Sequence, residues 1–202
     1  MKLFLLTCFA ITTIAITSYA QNITPLAIGS GAPLTEVKMK DISGKEVSLA
    51  DVTTGKGLLV MFSCNTCPWV VKYQARTRQI LEYAKAKGLG IIVINSNEDL
   101  RDGDDSFSEM KEYAAKQGYN WNYVVDTDSK LANAFGATRT PENFLFNSEG
   151  KLVYHGAIDD NPNDAAAVER THLRLAIDEM TTGREVSVKE TRSVGCSIKR
   201  KE

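Results

Sequence analysis

This sequence of 202 residues has only four cysteines and two histidines, and its positive and negative charges nearly cancel. So few cysteines exclude the dense disulfide framework of small exported domains. A formal net charge of −1 excludes the basic footprint that binding to nucleic acid or to an anionic membrane surface requires. An apolar share of 43% is that of a chain with a core, so a disordered protein is excluded too. The chemistry must be sought in a few reactive side chains.

Long hydrophobic runs are limited to the N-terminus. Lys2 is followed by an apolar stretch from Leu3 to Ile16 and by small residues at positions 18 and 20. This pattern predicts a signal peptide over residues 1–20, cut before Gln21. The alternative is a membrane anchor, but the stretch is shorter than the ~20 residues that a spanning helix needs. We therefore expect a periplasmic or extracellular protein that loses Cys8 with its leader and has no stable membrane insertion afterwards.

Beyond the leader, apolar runs alternate with amphipathic stretches, which predicts strands alternating with helices. The predicted strands are 58–62, 91–94, 121–125, 143–146 and 152–155, and the predicted helices are 68–87, 107–117, 129–135 and about 164–180. A loose alternation over 33–51 predicts a hairpin that turns at Gly44, and the polar stretch 95–108 predicts a surface loop. We expect one three-layer α/β domain over residues 21–183 and a polar tail over 184–202 that carries Cys196.

Two thiols lie where the strand at 58–62 runs into the helix that begins at Pro68. Cys64 and Cys67 are separated by two residues. A helix N-terminus offers unpaired N–H groups and the positive end of the helix dipole, which favour a thiolate. The short spacing lets the two sulfurs close and reopen a small disulfide ring. The pair is therefore suited to exchange electrons with a partner through a mixed disulfide.

Two other interpretations of this pair are weaker. A zinc site normally needs four Cys or His ligands, but His155 and His172 lie far along the chain and no second cysteine pair exists. A purely structural disulfide would close a loop too short to constrain the unfolded chain much. We expect redox chemistry at the cysteines, with no metal and no cofactor.

The motifs together resemble the thioredoxin superfamily, and in particular its exported, peroxiredoxin-like branch with a Cys-Asn-x-Cys-Pro motif. The resemblance covers roughly residues 25–199 and rests on residues 64–68, on Thr140-Pro141 with the strand after it, and on the closing residues 194–199. It implies a thioredoxin fold, in which helices flank a mixed central sheet, with an N-terminal β-hairpin extension. It also implies that Cys64 and Cys67 are catalytic.

The resemblance further implies a cis peptide bond between Thr140 and Pro141, beside the thiols. The free N–H and C=O of Thr140 would then pair with an extended substrate strand. The alternative is an ordinary proline at the start of a strand. For Cys196 two roles stay open, a third redox thiol that resolves an oxidised intermediate or an inert tail residue.

The attacking thiol also stays open. The usual order of such motifs favours the first cysteine, Cys64, whereas helix capping favours Cys67, which directly precedes Pro68. The residues before both cysteines depart from the Pro and Thr pattern of peroxiredoxins, which weighs against efficient peroxide reduction.

Three functions follow, in order of preference. The first is a thiol–disulfide oxidoreductase that acts on protein or small-molecule disulfides with an unidentified electron donor. The second is a peroxiredoxin-like thiol peroxidase that forms a sulfenate at a cysteine. The third is a non-catalytic module that binds copper through the thiols and His155, or binds a protein through the acidic residues Asp102, Asp104 and Asp105. Those acidic residues are otherwise expected to be a solvated loop, since they lack calcium-loop spacing.

Overall fold

The structure is a computed structural model that describes residues 23–201, so the predicted signal peptide and Cys8 lie outside the described residues. Its strands are β1 (Met39–Lys40), β2 (Glu46–Val47), β3 (Leu58–Ser63), β4 (Gly90–Asn95), β5 (Asn122–Val125), β6 (Arg139–Thr140), β7 (Glu142–Phe146), β8 (Leu152–Gly156) and β9 (Cys196–Ser197). Its α-helices are α1 (Leu49–Val52), α2 (Pro68–Ala86), α3 (Phe107–Gln117), α4 (Lys130–Phe135) and α5 (His172–Thr181). Over residues 23–201, no helix has both the length and the apolar character needed to cross a membrane.

β3 is the central strand of a five-stranded sheet with the order β5-β4-β3-β7-β8. β3, β4 and β5 run parallel, whereas β7 is antiparallel to β3 and β8 is antiparallel to β7. All six residues of β3 are buried, as its continuous apolar run predicts. The sheet is therefore mixed, and the loop that carries the cysteines leaves its centre at the end where the parallel strands stop.

Helices cover both faces of this sheet. Successive side chains of a strand point to opposite faces. Leu59 and Met61 accordingly pack with α2, α3 and α5, whereas Val60 and Phe62 pack with α1 and α4. The Phe62 ring meets Phe135 of α4 edge to face, with 5.4 Å between the centroids, which fixes the end of β3 beside the cysteines. The predicted three-layer α/β fold with a mixed sheet is confirmed, as is its N-terminal hairpin of β1 and β2.

Both edges of the sheet are covered by other parts of the same chain. Along β5, the Tyr123 N–H donates to the Asp41 carboxylate at 2.9 Å. Along β8, the His155 N–H donates to the Lys189 carbonyl at 2.8 Å, and the Thr191 N–H donates to the His155 carbonyl at 3.0 Å. Backbone groups that an edge strand would otherwise leave open are thereby paired.

The last helix is shorter than the sequence pattern predicts. α5 begins at His172, and the run Ala165–Ala167 forms only a single 3-10 turn, so the predicted earlier start is wrong. The physical reason is local. The carboxylate of Asp160 accepts hydrogen bonds from the N–H groups of Glu169 and Arg170 at 3.1 and 3.0 Å, which holds this segment as a loop despite its alanines.

The segment after α5 folds back onto the domain. Val186 and Ile198 are buried, with 4% and 6% of their surface exposed. β9 pairs antiparallel with β6, so that Cys196 lies opposite Thr140. The polar tail expected at 184–202 is thus held on the domain by these two side chains and by β9, whereas residues such as Glu185 and Lys199 stay exposed.

Candidate active site

The loop between β3 and α2 holds Cys64 and Cys67, which are 1% and 5% exposed. Cys67 directly precedes the first turn of α2 in an extended conformation (φ −61°, ψ 123°), and Pro68 follows at the start of the helix. Proline suits that position because it has no N–H to leave unpaired and its φ is preset. The Cys67 sulfur therefore sits beside the positive end of a 19-residue helix, where a thiolate is stabilised.

Cys67 forms a disulfide with Cys196, 129 residues further along the chain, rather than with Cys64. The two Cα atoms are 6.0 Å apart, a usual separation for a disulfide. Cys64 is a free, buried thiol that packs in the same cluster as both bonded cysteines. The structure thus brings the three cysteines together and gives Cys67 a partner that the spacing of Cys64 and Cys67 does not suggest. A free thiol beside a disulfide supplies the two reactants of thiol–disulfide exchange.

Thr140 lies between the sulfurs, and its bond to Pro141 is cis, which confirms that prediction. The Thr140 hydroxyl oxygen is 3.4 Å from Cys64 Sγ, and its carbonyl oxygen is 3.4 Å from Cys67 Sγ. Thr140 itself is 1% exposed. Its strand, β6, is the one that the chain's own β9 covers. The backbone that the sequence analysis assigned to a substrate strand is therefore occupied by the segment around Cys196.

Asp105, which was expected in a solvated loop, is buried and holds the loop that carries Cys64 and Cys67. Asp105 has no exposed surface, and its carboxylate accepts three hydrogen bonds. The donors are the Asn65 backbone N–H at 2.8 Å, Asn95 Nδ2 at 2.7 Å and Asn97 Nδ2 at 2.8 Å. The expectation of a solvated position is wrong for Asp105, because three buried donors converge on it.

One sequence signal points to this arrangement. Asn95 is the last residue of the buried strand β4 and Asn97 lies just beyond it, and ligands and reacting groups gather where parallel strands end. Asn65 is held a second time, since its side chain donates to the Asp104 carbonyl at 2.9 Å and accepts from Tyr123 Oη at 2.8 Å.

No group of three or more His, Cys, Asp and Glu side chains in residues 23–201 is arranged to hold a metal ion.

Glu142 anchors the segment that leads to Thr140. It is 3% exposed, and one carboxylate oxygen accepts the backbone N–H groups of Thr138 and Arg139 at 2.7 and 2.8 Å. The other oxygen lies 2.7 Å from His155 Nε2. His155 is thus a hydrogen-bonded residue of strand β8, and its Nε2 contacts Glu142 rather than a thiol. Sequence reasoning missed Glu142, although its position directly after the Thr-Pro pair was a usable signal.

We expect Glu142→Ala to lower the free energy of unfolding by about 3 kcal/mol. Two backbone N–H groups and the His155 ring would lose a buried partner, and each such loss is worth roughly 1–3 kcal/mol. Urea unfolding followed by tryptophan fluorescence measures the change. Glu149→Ala, at an exposed position in the β7–β8 turn, is the matched control and should stay within about 0.5 kcal/mol of the parent. An equally small change for Glu142→Ala would contradict the anchoring role.

The environment of Cys64 disfavours its thiolate. Burial raises the pKa of the Cys64 thiol, the contact with the Thr140 hydroxyl lowers it in part, and the nearby charge of Asp105 raises it again. The net shift is upward, so Cys64 carries its proton at neutral pH. Its attack on another sulfur should therefore accelerate as the pH rises into the alkaline range.

Asp105→Asn should lower the pKa of the Cys64 thiol, because it removes a negative charge that opposes formation of the thiolate. Alkylation of Cys64 by a small neutral reagent, followed by mass spectrometry across a pH series, gives the midpoint directly. We expect the midpoint to move to lower pH. Asp102→Asn, at an exposed position in the same loop, should leave it in place. Equal midpoints for all three proteins would show that the Asp105 charge does not reach the thiol.

Comparison with known proteins places this geometry in context. The redoxin family model matches residues 29–171, a range that includes Cys64, Cys67 and Pro141. The chain is 28% identical over 130 residues to thiol–disulfide oxidoreductase ResA of Bacillus subtilis (strain 168), an alignment that covers 63% of this chain and 66% of that protein. The chain thus spans about two thirds of the length of that relative.

Two solved structures extend the comparison. A conserved protein of Geobacillus kaustophilus superposes with a TM-score of 0.80 at 34% identity, covering 87% of this chain and 93% of that one. The thioredoxin domain of a thiol–disulfide oxidoreductase from Bacteroides vulgatus superposes with a TM-score of 0.53 at 27% identity, covering 64% of this chain and 88% of that one. Both superpositions support the α/β fold with a mixed central sheet and flanking helices.

Proposed function

Because the chain belongs to the redoxin family, within the thioredoxin superfamily, we propose that it is an exported thiol–disulfide oxidoreductase. Its substrates are disulfides of proteins or small molecules, and Cys67 is the sulfur that meets them. The observation that carries this proposal is the bond between Cys67, at the start of α2, and Cys196, with the free thiol of Cys64 beside them. The similarity to a thiol–disulfide oxidoreductase of Bacillus subtilis supports the same reaction class.

In the reduced protein, the Cys67 thiolate attacks one sulfur of a substrate disulfide. The substrate S–S bond breaks, one substrate sulfur leaves and takes a proton, and the other stays bonded to Cys67 as a mixed disulfide. A second thiol of this chain then attacks the Cys67 sulfur and releases the remaining substrate thiol. An external dithiol returns two electrons and two protons and restores the starting state.

Cys196 and Cys64 compete for the second step. Cys196 gives the disulfide described above, whereas Cys64 gives the ring predicted from the Cys-x-x-Cys spacing. At neutral pH the raised pKa of the Cys64 thiol favours Cys196 as the resolving group. Thr140 contacts the sulfurs of both Cys64 and Cys67 and acts as the positioning residue, with Pro141 fixing the turn of the backbone.

The compartment is part of the proposal. The sequence of residues 1–20 supports export to the periplasm or the extracellular space, where an oxidising environment allows disulfides to persist. N-terminal sequencing of the mature protein checks this, with Gln21 as the expected first residue. A mature chain that still begins at Met1 would overturn it.

The reaction class is tested with insulin. A small dithiol reduces insulin disulfides slowly, and the released B chain precipitates, so turbidity reports the rate. We expect the protein to increase this rate at least tenfold when it is present in catalytic amounts. A rate equal to that of the dithiol alone would reject the oxidoreductase proposal.

The same disulfide also favours a second candidate, a thiol peroxidase of the exported peroxiredoxin-like branch with the Cys-Asn-x-Cys-Pro motif. A Cys67 thiolate would take one oxygen from a hydroperoxide, giving a sulfenate and an alcohol or water. The Cys196 thiol would then condense with the protonated sulfenate, forming the disulfide and releasing water. Dithiol-dependent hydroperoxide consumption without insulin reduction would favour this candidate over the first.

A further inference from the structure

The segment around Cys196 is bound to the domain as an extended ligand binds to a strand edge. Besides the pairing of β9 with β6, the Ile198 N–H donates to the Thr138 carbonyl at 3.1 Å. The Lys199 N–H donates to Asn97 Oδ1 at 2.9 Å, and the Lys199 carbonyl accepts from the Asp99 N–H at 3.0 Å. Main-chain pairing of this kind gives affinity, while pockets for particular side chains give selectivity.

The position before the cysteine accepts only glycine. A Cβ atom added at Gly195 would lie 2.7 Å from the carbonyl carbon of Thr140 and closer still to its oxygen. Real Cβ atoms do not approach backbone atoms so closely, and the backbone of Thr140 is buried and paired. The close contact between the two backbones therefore depends on the missing side chain.

Two further positions after the cysteine are recognised by side chain. Ile198, two residues after Cys196, is buried in the apolar cluster that includes Phe135 and Ala137. Arg200, four residues after the cysteine, donates to the Ala137 carbonyl at 2.6 Å and to Asn133 Oδ1 at 2.7 Å. A glycine, an apolar residue and an arginine thus occupy three fixed places around the sulfur.

We propose that the surface under residues 194–200, here called the tail site, recognises extended polypeptide segments of the pattern Gly-Cys-x-apolar-x-Arg. The chain's own residues 194–200 are its resident ligand, which an incoming segment displaces in the exchange that breaks the Cys67–Cys196 bond. This inference rests on the proposed function for its biological meaning, since it names the protein segments on which that exchange would act.

The exchange balances without any further reagent. The cysteine thiolate of an incoming segment attacks Cys67 Sγ, the Cys67–Cys196 bond breaks, and a new bond joins Cys67 to the incoming sulfur. Cys196 leaves as a thiolate and takes up the proton that the incoming thiol released. Because the tail belongs to the same chain, its effective concentration is on the order of millimolar, so a segment that lacks a cysteine competes poorly while the Cys67–Cys196 bond is closed.

The test uses a fluorescent peptide with the sequence of residues 192–201 and the change Cys196→Ser, so that only non-covalent binding is measured. Its affinity is determined by anisotropy for the oxidised full chain and for the full-chain variants Gly195→Ala and Cys196→Ser. Gly195→Ala should expel the resident tail and bind the peptide at least tenfold more tightly than the oxidised parent. Gly55→Ala is the matched control, because its Cβ would meet no atom within 4 Å.

Selectivity is tested with altered peptides. Replacing the glycine by alanine should weaken binding at least tenfold, and replacing either the isoleucine or the arginine should also weaken it. Should Gly195→Ala fail to fold, Cys196→Ser replaces it, since that change removes the anchor without crowding Thr140. Equal peptide affinity for the oxidised parent and for both variants, or indifference to the glycine, would overturn the inference.

The two proposals fail separately. The peptide carries no cysteine, so its binding does not depend on redox activity. Selective binding by a protein that does not reduce insulin would reject the oxidoreductase proposal alone. Insulin reduction by a protein that ignores the peptide would reject the tail site alone.

Discussion

The variant Cys67→Ser is expected to lose dithiol-driven insulin reduction by about a thousandfold or more, since a serine hydroxyl neither ionises at neutral pH nor forms a disulfide. Cys67 is the sulfur at the helix start, it is bonded to Cys196, and Cys64 packs beside it. Every exchange step of the proposed reaction therefore passes through it. The value of kcat/KM at a fixed dithiol concentration measures the loss.

The two other cysteines supply the controls for this experiment. Cys64→Ser and Cys196→Ser each leave Cys67 with one possible resolving partner, so each should retain far more activity than Cys67→Ser. Cys196→Ser should in addition accumulate a mixed disulfide between Cys67 and the substrate, because the raised pKa of the Cys64 thiol makes its attack slow at neutral pH. Intact mass spectrometry detects that adduct. Near-normal activity in Cys67→Ser, together with its loss in Cys64→Ser, would reassign the nucleophile to Cys64.

Under oxidising conditions, Cys196→Ser should lower the free energy of unfolding by about 4 kcal/mol. The Cys67–Cys196 bond closes a loop of the chain with a sequence separation of 129, and a cross-link of that length removes much of the freedom of the unfolded state. Chemical unfolding with and without a reductant measures the difference.

This prediction contains its own control. Once the parent protein is reduced, its stability should fall close to that of Cys196→Ser, because both chains then lack the cross-link. Cys64→Ser should keep the full difference between oxidised and reduced forms, since Cys64 is the free thiol. A stability of the parent that does not respond to reductant would contradict the disulfide.

Local patterns in the sequence were sufficient to predict the frame of the site. The apolar run of β3 predicts a buried central strand, and the helical periodicity after Pro68 predicts α2. Cys64 and Cys67 lie between these two stretches, so they were predicted to lie where the strand runs into the helix. The cis bond before Pro141 was predicted by resemblance alone, because no local pattern distinguishes it from the trans form.

The tertiary partners of the site were not predictable in the same way. β9 has only two residues, too few to show any periodicity, so no local pattern in the tail decided between a resolving thiol and an inert residue for Cys196. Asp105 stands among acidic residues that suggest solvent, yet it is buried and accepts hydrogen bonds from the cysteine loop, from the last residue of β4 and from the loop after β4. Such contacts depend on how distant segments meet, which composition and spacing do not encode.

The covered edges of the sheet have a consequence for how this protein meets other chains. Asp41 beside β5 and the segment 189–191 beside β8 occupy backbone groups that would otherwise invite a foreign strand, a common origin of aggregation. The short strand β6 is covered differently, by a segment whose attachment includes a reducible bond. Within residues 23–201, the outer strands β5 and β8 are thus covered by contacts that include no reducible bond. Pairing with a strand of another chain is left to β6, which is uncovered only when the Cys67–Cys196 bond is reduced.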